Sequence, residues 1–408
     1  MAPCILAANN YYYHRGGSEA VFFSESAQLK LRGWQVVPFS MHHPQNIPSE
    51  WEAHFADKLE LGEIRSVVAR LVAAPKSIYS FEAKSKISRL IELARPDICH
   101  LHNIYHHLSP AILPAVKAAG IPTVMTLHDL KIACPAYTML AHDGICERCK
   151  GGRYRNVIRH KCVNGSILQS GLVYLEARLH AALRSYTANV DRFIVPSNFY
   201  RDKFIEWGTS AESLIYIPNA IDISQYQSRR CAGDYFVYVG RLVEEKGIEL
   251  LIHAANRAKV PLKIVGTGPL KMSLESVALS LGAEVEFLGH LSGNTLEDVI
   301  ANARSMVLPS TWYENAPISV LEAYALGTPV IGSSIGGIPE LVESETTGLL
   351  FVPGDKEDLA EKLQTMAALS DDRVIDMGCR ARERVEAEFD QHLHIERLLR
   401  VYRDLGVG

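Results

Sequence analysis

The stretch SMVLPSTWYENAPISVLEAYALGTPVIGSSIGGIPELV, residues 305–342, decides how the fold of this chain is read. Its first six residues, SMVLPS, form a short apolar run that predicts a buried strand. Pro317 suits the first position of a helix that follows this strand. Gly327 then marks the end of the helix, and Pro329 opens the next strand. We therefore expect a strand, a loop, a helix and a second strand in this one segment.

Two glutamates, Glu314 and Glu322, lie eight positions apart in this segment. The pattern places Glu314 on the loop before the helix and Glu322 in its second turn. A helix that begins at the carboxyl end of a strand directs free N–H groups and its positive dipole end at a nearby ligand. Carboxylates beside such a helix start suit a ligand with phosphates and hydroxyls, such as a sugar nucleotide. By spacing alone, a solvated Glu314 and a salt-bridged Glu322 are the more ordinary explanation.

The whole segment resembles the E-x7-E signature of retaining GT-B glycosyltransferases of the family-4 type, including its GTPVI strand. Further motifs similar to those of this family follow in order from residue 16 to residue 348. The resemblance implies an α/β GT-B fold, in which two doubly wound parallel-sheet (Rossmann-like) domains face each other across a cleft. It also implies transfer of a hexosyl-type unit from a UDP- or GDP-sugar to the hydroxyl of a glycan or lipid-linked acceptor, with retention of configuration. No catalytic metal or other cofactor is implied.

Length and composition agree with a large globular protein. The chain has 408 residues, which is comfortable for two cores, with 48% hydrophobic and 22% charged residues. No run of 18 apolar residues occurs, and the N-terminal sequence does not resemble a signal peptide, so we expect a cytoplasmic protein. A peripheral position at the inner face of the membrane is an alternative. The formal net charge of −4 argues against nucleic acid as the main partner.

Strands and helices alternate along both halves of the chain. The predicted strands of the first half are CILAAN, WQVVPFS, DICHLH, TVMTLH and RFIVPS. Those of the second half are FVYVG, LKIVG, EVEFLG, SMVLPS, PVIGSS and GLLFV. Such repeated units predict parallel sheets that are covered by helices on both faces.

The resemblance also implies a domain division. Residues 1–216 would form an acceptor-side domain with a Cys-rich insertion at about 130–165, and residues 217–388 a nucleotide-sugar donor domain. Residues 217–234 read as the linker, and the helix in 389–408 would cross back onto the first domain.

Arg241 and Lys246 follow the FVYVG strand and are candidates for binding the diphosphate. Arginine offers a planar fork of donors, and lysine offers a mobile point charge. They could equally pair with Glu244 and Glu245 on the same loop. The GR-x4-KG arrangement is similar to the phosphate-binding loop of the family, which favours the binding role.

Glycines and glutamates complete the expected donor site. Gly266 and Gly268 in VGTGP end a strand, where glycine lets the backbone approach a ligand closely. The family resemblance implies that Glu322 accepts hydrogen bonds from the ribose hydroxyls. It places Glu314 nearer the transferred sugar.

The backbone around the predicted helix start is the remaining part of that site. The resemblance implies that it faces the sugar or the diphosphate at Ala316, Ile318 and Ser319. Many relatives have a Phe-Gly pair where this chain has Ala316 and Pro317, so we expect the sugar contacts to differ in detail.

In the first half, glycines and histidines are the candidate site residues. Gly16 and Gly17 precede a helix and could hold a loop against the diphosphate. Without the family resemblance, an ordinary turn is the better explanation of this pair. His128 ends the TVMTL strand, and the resemblance implies that it contacts the donor sugar or stabilises charge at its anomeric carbon. A strand-end histidine can also be a packed, hydrogen-bonded residue. His100 and His102 also belong to the family pattern, and the alternative is that they simply support the site from within.

Four cysteines follow His128: Cys134, Cys146, Cys149 and Cys162. A CxxC with two outlying cysteines fits a structural, tetrahedral zinc site. A subset of similar transferases has a comparable Cys-rich insertion after the TLHD motif. Four reduced thiols or a redox-labile pair are the alternatives. Residues 148–161 carry six Arg or Lys and no acid. That run could contact an anionic membrane or a phosphorylated lipid carrier, or simply be solvated.

Two other classes of function stay open. A GT-B-type nucleotide-sugar epimerase would need no second substrate, and a catalytically silent protein would bind nucleotide sugars without turnover. Arg241, Lys246, Glu314 and Glu322 are all present, which argues against the silent protein. The family-4 form of the motifs argues against the epimerase.

Overall fold

The computed structural model of the chain describes residues 2–58, 75–229 and 231–408. These residues form two compact units. The first contains Met1–Ile217 together with Ile395–Gly408, and the second contains Pro218–His394. The expected linker at 217–234 therefore falls in the second unit from Pro218 onward, with residue 230 outside the described residues.

The first unit is built on a six-stranded parallel sheet with the order β2-β1-β3-β4-β7-β8. Its strands are β1 Cys4–Ala8, β2 Gln35–Phe39, β3 Ile98–Leu101, β4 Thr123–Thr126, β7 Arg192–Val195 and β8 Leu214–Tyr216. A separate antiparallel hairpin consists of β5 Leu140–Ala141 and β6 Gly144–Ile145. Five of the six sheet strands are predicted by their apolar runs. Strand β8 was missed because three residues, of which only Leu214 is buried, carry too little pattern.

Helices cover this sheet, and several begin at serine caps. Numbered over the described residues, they are α1 Gly17–Leu31, α2 Phe81–Ala94, α3 Leu113–Ala118, α4 Arg155–Arg159, α5 Ile167–Ala182 and α6 Asn198–Glu206. The side chains of Ser80, Ser166 and Ser197 each accept a hydrogen bond from a first-turn N–H, which satisfies a donor that has no partner inside the helix. Each cap therefore fixes where its helix begins.

The last helix of the chain, Gln391–Asp404, completes the core of the first unit. Its residues Leu398, Val401 and Tyr402 pack in one apolar cluster with Phe22 of α1 and Ile98 of β3. Fully burying an apolar side chain of this size stabilises a fold by about 1.5–3 kcal/mol. The final segment is therefore part of the structure of the first unit, although it is last in the sequence.

The second unit repeats the plan with the strand order β11-β10-β9-β12-β13-β14, all parallel. Its strands are β9 Phe236–Val239, β10 Leu262–Val265, β11 Val285–Gly289, β12 Ser305–Leu308, β13 Val330–Ser333 and β14 Gly348–Phe351. Its helices are α7 Ile248–Ala258, α8 Lys271–Leu281, α9 Gly293–Ala301, α10 Ile318–Ala325, α11 Ile338–Leu341, α12 Lys356–Ala368 and α13 Asp371–Glu388. The expected α/β class with two doubly wound parallel sheets is confirmed.

Both faces of the second sheet are buried. Along β9, Phe236 and Tyr238 belong to one apolar cluster, while Val237 between them belongs to another. Since successive side chains of a strand point to opposite faces, the two clusters lie on opposite sides of the sheet. This explains why the strands read as continuous apolar runs rather than as alternating ones.

The strand order places a switch point in each sheet. In the second unit the chain builds outward from β9 to β11 and then returns to place β12 on the other side of β9. In the first unit β1 lies between β2 and β3 in the same way. The loops that leave two such central strands diverge at the carboxyl edge, which opens a crevice for ligands in doubly wound sheets.

One local expectation is wrong by a residue. Pro317 lies before α10 in an extended conformation, with ψ 117°, and the helix begins at Ile318. Proline has no N–H to donate and a fixed φ, so it fits the position before a helix as well as the first position inside it. Among the described residues, no helix is both long and apolar enough to cross a lipid bilayer.

Candidate functional site

The central feature of the second unit is an ion pair at its switch point. The loop after β9 carries Lys246, and the loop after β12 carries Glu314. The Lys246 Nζ lies 2.6 Å from the Glu314 Oε1 and donates a hydrogen bond to it. Two residues that are far apart in the sequence therefore meet because β9 and β12 are neighbours in the sheet.

The surroundings of Glu314 keep its carboxylate ionised. Only 6% of the residue is exposed, and burial alone would raise its pKa. The charge of Lys246 and the hydrogen bonds from Lys246 and Ser310 outweigh burial and lower the pKa of Glu314. The Ser310 Oγ donates to the same Oε1 at 2.5 Å. The Lys246 ammonium also lies 5.4 Å from the centre of the Trp312 ring, in a cation–π contact.

Arg241 lies on the same loop as Lys246 with its side chain exposed. The Tyr238 hydroxyl donates a hydrogen bond of 2.9 Å to the Arg241 carbonyl, which anchors the loop to the strand. Within the described part of the chain, Lys246 forms its ion pair with Glu314, and neither cation pairs with Glu244 or Glu245. The alternative of a purely local pairing on this loop is therefore wrong.

The structure explains why Gly266 and Gly268 are glycines, which the sequence did not reveal. A Cβ on Gly266 would lie 1.8 Å from the carbonyl oxygen of Gly240, and one on Gly268 would lie 2.3 Å from that of Leu242. The φ of Gly266 is also +139°, which side-chain-bearing residues rarely adopt. These glycines let the loops after β9 and β10 pack backbone against backbone, so they support the Arg241 loop from behind.

A similar close approach holds the backbone of Glu314. The Gly337 N–H donates to the Glu314 carbonyl at 2.8 Å, and a Cβ on Gly336 would lie 2.3 Å from that oxygen. Gly336 has a φ of +62°. The two adjacent glycines in SIGGIPE were the sequence signal for this contact, and the sequence analysis did not use it.

The start of α10 lies directly after Glu314. No side chain caps it, so the first N–H groups of the helix, those of Ile318 and Ser319, donate no hydrogen bond to a capping side chain. The positive end of the helix dipole lies at the same place. Ala316 is buried, and its carbonyl oxygen accepts a 2.8 Å hydrogen bond from the Asn219 amide. The backbone before the helix is therefore fixed.

Glu322 lies in the second turn of α10, and its pKa is shifted in the opposite direction from that of Glu314. Burial raises the pKa of Glu322, a hydrogen bond from Tyr226 opposes this rise, and Glu297 adds to it. The Tyr226 hydroxyl lies 3.5 Å from the Glu322 Oε1, which is a long contact. Glu322 thus has acceptor capacity but no cation among the causes of its pKa shift. Tyr226 was not predicted, because it lies in the segment read only as a linker.

The first unit presents its own residues at the corresponding edge. Gly16 and Gly17 are exposed at the start of α1, which has no side-chain cap. Glu19 in the first turn is buried, and the Ser18 Oγ lies 3.1 Å from its Oε1 and donates to it. A carboxylate therefore already lies near this helix start.

His128 follows β4 and is partly buried. Its Nε2 lies 2.9 Å from the Nδ1 of His102, which follows β3, and the two rings are nearly parallel. The structure thus joins His128 to the histidine motif of the neighbouring strand.

His100 and Glu25 form the buried side of the same cluster. The His100 Nε2 lies 2.8 Å from the Thr126 Oγ1, and its Nδ1 lies 2.7 Å from the Tyr402 hydroxyl. The Glu25 Oε2 lies 3.3 Å from the His100 Nδ1 and 3.4 Å from the His102 Nε2. Glu25 was missed by the sequence analysis. The sequence signal for a buried carboxylate was the presence of Glu25 in the largely apolar helix sequence SEAVFFSESAQLKL.

The zinc site predicted from the cysteines is not supported. All four cysteines are free thiols, and Cys134 and Cys149 are buried. Burial, followed by the neighbouring Cys134, Cys162 and Cys146, raises the pKa of Cys149 to about 12, so the sulfurs are near one another. Within the described residues, however, the cysteines do not bring three ligand atoms to within 4.8 Å of one another, whereas Glu25, His100 and His102 do. A tetrahedral metal needs its ligands at one point, and the described residues do not show the thiols gathered in that way.

The basic run at 148–161 is partly paired. Arg148 forms an ion pair with Asp143, and Lys150 lies 3.4 Å from Glu206. Four further cations of the run are exposed, namely Arg153, Arg155, Arg159 and Lys161. The run therefore remains a cationic surface.

Two family models match the chain. The model described as Glycosyltransferase Family 4 matches residues 15–225, and the model described as Glycosyl transferases group 1 matches residues 227–384. The first match alone covers more than half of the chain. The chain therefore belongs to Glycosyltransferase Family 4, and the resemblance drawn from the motifs is confirmed at the level of a group 1 glycosyltransferase.

Comparison with individual proteins agrees. The chain is 27% identical over 219 residues to the putative colanic acid biosynthesis glycosyltransferase WcaL of Escherichia coli (strain K12), covering 50% of this chain and 54% of WcaL. It thus spans about half the length of this relative. Sucrose-phosphate synthase from Thermosynechococcus elongatus matches with a TM-score of 0.73 and 23% identity, over 99% of both chains. HepE of Anabaena, solved with UDP and glucose, matches with a TM-score of 0.70 and 18% identity, over 98% of this chain and 100% of HepE. These likenesses show the GT-B fold.

Proposed function

We propose that the protein is a retaining glycosyltransferase that moves a hexosyl unit from a nucleotide diphosphate sugar to an acceptor hydroxyl in glycan biosynthesis. The observation that carries the proposal is the ionised Glu314, paired with Lys246 at 2.6 Å directly before the uncapped start of α10. This part of the second unit therefore combines a cation, an anion-binding helix start and a carboxylate.

The donor diphosphate would bind to the positive groups. Arg241 has an exposed guanidinium without a carboxylate partner among the described residues, and Lys246 can share its ammonium between Glu314 and a phosphate. The N–H groups of Ile318 and Ser319 add fixed dipoles. Because such charges are already oriented, they stabilise the leaving diphosphate as its negative charge develops in the transition state. The proposal therefore includes no catalytic metal.

The nucleoside would bind to Glu322. Its carboxylate lies in the second turn of α10 and has the Tyr226 hydroxyl as a distant partner. A ribose offers two vicinal hydroxyls that donate to such an oxygen pair. The raised pKa of Glu322 reflects the burial of an anion, and hydroxyl donors would relieve that cost on binding.

By resemblance to the family, Glu314 is proposed to contact the transferred sugar, and His128 is proposed as a further sugar-contacting residue. Their environments support different roles. Glu314 is a carboxylate paired with a cation, while the His128 imidazole is hydrogen-bonded to that of His102. Gly16 and Gly17 are proposed to approach the diphosphate through their exposed backbone.

Donor screening tests the proposal. The purified protein is incubated with UDP-, GDP- and ADP-sugars, and slow donor hydrolysis is followed by NMR, which also reports the anomer first released. We expect one nucleotide class to be hydrolysed with retention. The neighbour HepE was solved with UDP and glucose, which favours UDP-glucose as the first donor to try. A changed sugar in the intact donor would identify an epimerase, and binding without turnover would identify a silent binding protein.

The acceptor is proposed to be a glycan or a lipid-linked hydroxyl at an anionic membrane surface. Helix α4 of the basic run packs against α5, and α5 exposes Leu168 at 87% and Leu175 at 57%. Exposed leucines near Arg and Lys are typical of protein surfaces that adsorb to anionic bilayers. Co-sedimentation with vesicles containing phosphatidylglycerol should exceed that with neutral vesicles, and equal recovery would contradict this part of the proposal.

A further inference from the structure

Glu25, His102 and His128 lie in a row from the interior of the first unit to the end of β4, with a hydrogen bond between the two histidines and an ion-pair contact between Glu25 and His102. Glu25 on α1 is 4% exposed and His102 is 2% exposed. The Glu25 Oε2 lies 3.4 Å from the Nε2 of His102, and the Nδ1 of His102 lies 2.9 Å from the Nε2 of His128. We call these three residues the Glu25–His102–His128 chain.

The neighbouring His100 has other partners for both ring nitrogens. The Tyr402 hydroxyl lies 2.7 Å from its Nδ1, and the Thr126 hydroxyl lies 2.8 Å from its Nε2. Burial holds the pKa of Tyr402 well above its ordinary value, so the phenol keeps its proton and can donate it to the His100 Nδ1. A neutral His100 then donates from Nε2 to Thr126. Of the two imidazoles beside Glu25, that of His102 is therefore the one positioned to donate a hydrogen bond to its carboxylate.

We propose that Glu25 and His102 are positioning residues that hold His128 in the tautomer with its proton on Nε2. A neutral imidazole has one donor and one acceptor nitrogen. If His102 donates from Nε2 to the Glu25 carboxylate, its Nδ1 must accept, and His128 must donate from Nε2. The Nδ1 of His128 then carries the lone pair.

The lone pair would let His128 interact favourably with positive charge on the donor sugar. In the proposed function, on which this inference rests, positive charge develops at the anomeric carbon of the donor sugar. A nitrogen lone pair directed at that carbon or at a sugar hydroxyl is attractive, whereas an N–H group would repel the developing charge. A carboxylate behind an imidazole is a recurrent way to fix the tautomer and orientation of a second group.

A divalent cation is the competing explanation of the cluster. The ligand atoms of Glu25, His100 and His102 lie within 4.8 Å of one another, which is close enough to surround one ion. The hydrogen-bonding contacts argue against it, because the His100 Nδ1 already faces Tyr402 and the His102 Nδ1 faces His128. The other titratable groups beside the chain are His100, Tyr402 and Asp129, which follows His128.

Nitrogen-15 NMR of protein with labelled histidine rings tests the inference without any substrate. Spectra are recorded at about pH 8, where an ordinary imidazole is neutral. The His128 signals are assigned by their loss in His128→Gln. We expect a protonated Nε2 and an unprotonated Nδ1 for His128. Glu25→Gln and His102→Phe should each convert this single tautomer into a mixture, because the amide of Gln can donate as well as accept, and Phe removes the connecting ring.

His180→Gln is the matched control, since His180 is a buried histidine of the same unit whose ring nitrogens contact the Ser185 hydroxyl and the Ile78 carbonyl, and it should leave the His128 signals unchanged. Circular dichroism and thermal unfolding show whether each variant is folded. Once a donor is known, Glu25→Gln should lower kcat roughly tenfold to a hundredfold and leave the KM for the donor within about twofold.

Three results would overturn the inference. They are a wild-type His128 protonated on Nδ1, an unchanged His128 tautomer in both folded variants, and stoichiometric divalent metal that Glu25→Gln loses. Failure of the proposed function is a separate result, since absent turnover with the expected tautomer would leave the Glu25–His102–His128 chain in place and remove its assigned substrate.

Discussion

Glu314 of the second unit and Glu25 of the first unit are both buried, but the two carboxylates have different partners. Glu314 lies 2.6 Å from the ammonium of Lys246. Glu25 lies 3.3 and 3.4 Å from the imidazoles of His100 and His102. Lysine is charged throughout the neutral range, whereas imidazole titrates within it. The second unit thus provides fixed charge that suits a diphosphate, and the first unit provides groups that can order protons.

Removing the fixed cation should have the largest effect. In Lys246→Met, Glu314 stays buried without its partner, and breaking such a pair is strongly destabilising. Because Lys246 is partly exposed to water, we expect a loss of about 2–3 kcal/mol in the free energy of unfolding, below the range for fully buried pairs. Nucleotide affinity should also fall roughly tenfold to a hundredfold, since a charge-assisted hydrogen bond contributes about 1.5–3 kcal/mol. Urea denaturation and calorimetry measure the two effects.

Lys263→Met is the matched control for this variant. Lys263 lies in the same unit and forms an ion pair with Glu286, in which both side chains are substantially exposed. Its loss should change the free energy of unfolding by less than about 1 kcal/mol and leave nucleotide affinity unchanged. Equal effects of the two lysine variants would show that the Lys246–Glu314 pair is an ordinary surface contact.

Substitutions of Glu322 and Glu314 should impair different steps, nucleotide binding in the first case and turnover in the second. Glu322→Ala should weaken binding of the bare nucleotide diphosphate about tenfold or more, because it removes the proposed ribose acceptor. Glu314→Gln should lower turnover more than it lowers that affinity, because Glu314 is assigned to the sugar. Calorimetry with nucleotide and steady-state kinetics with the donor distinguish them. If both variants lose nucleotide affinity alike, the division of roles is wrong.

The pH dependence of stability should distinguish an ionised Glu314 from a neutral one. Its folded-state pKa is lowered relative to the ordinary value of 4.5, so its contribution to stability is present above that value and is lost as the pH falls through the folded-state pKa. The Glu314→Gln variant lacks this titration. The stability difference between wild type and variant should therefore shrink in acid, as followed by denaturation at a series of pH values. A constant difference would show that Glu314 is not held by charge.

The smallest effect is expected for Tyr226→Phe. The Tyr226 hydroxyl reaches Glu322 over 3.5 Å, which is at the limit of a hydrogen bond. Nucleotide affinity should change by no more than about threefold, since so long a contact contributes at the low end, about 0.5 kcal/mol, of what an ordinary hydrogen bond provides. A loss as large as that of Glu322→Ala would mean that Tyr226 contacts the nucleotide directly.

Much of the second unit was predictable because its signals are local. Apolar runs bounded by glycine and proline identified all six of its strands, and the segment 305–342 identified α10 with an error of one residue at its start. Lys246, Glu314 and Glu322 were recognised as candidates because they lie in family-like motifs on short loops. Their pairing was not predicted, because which loops meet depends on strand order.

The residues around Glu25 show why other parts were missed. Glu25 lies on α1, His102 follows β3, and Tyr402 lies on the last helix of the chain. These positions are far apart in the sequence, so no local pattern connects them. The cysteine motif is a different case. The spacing CxxC is local and predicts a metal site, which the described part of the structure does not support.

By itself, the sequence determined the α/β class and the family, and it identified the residues that we propose to bind a nucleotide sugar, since these follow from periodicity and from motifs within single loops. The tertiary structure alone decided that Lys246 pairs with Glu314, that Gly266 supports a loop, and that Glu25 reaches His128 through His102. The physical reason is that a carboxylate's partner and its pKa depend on groups brought near by packing. Packing joins residues that the sequence keeps apart.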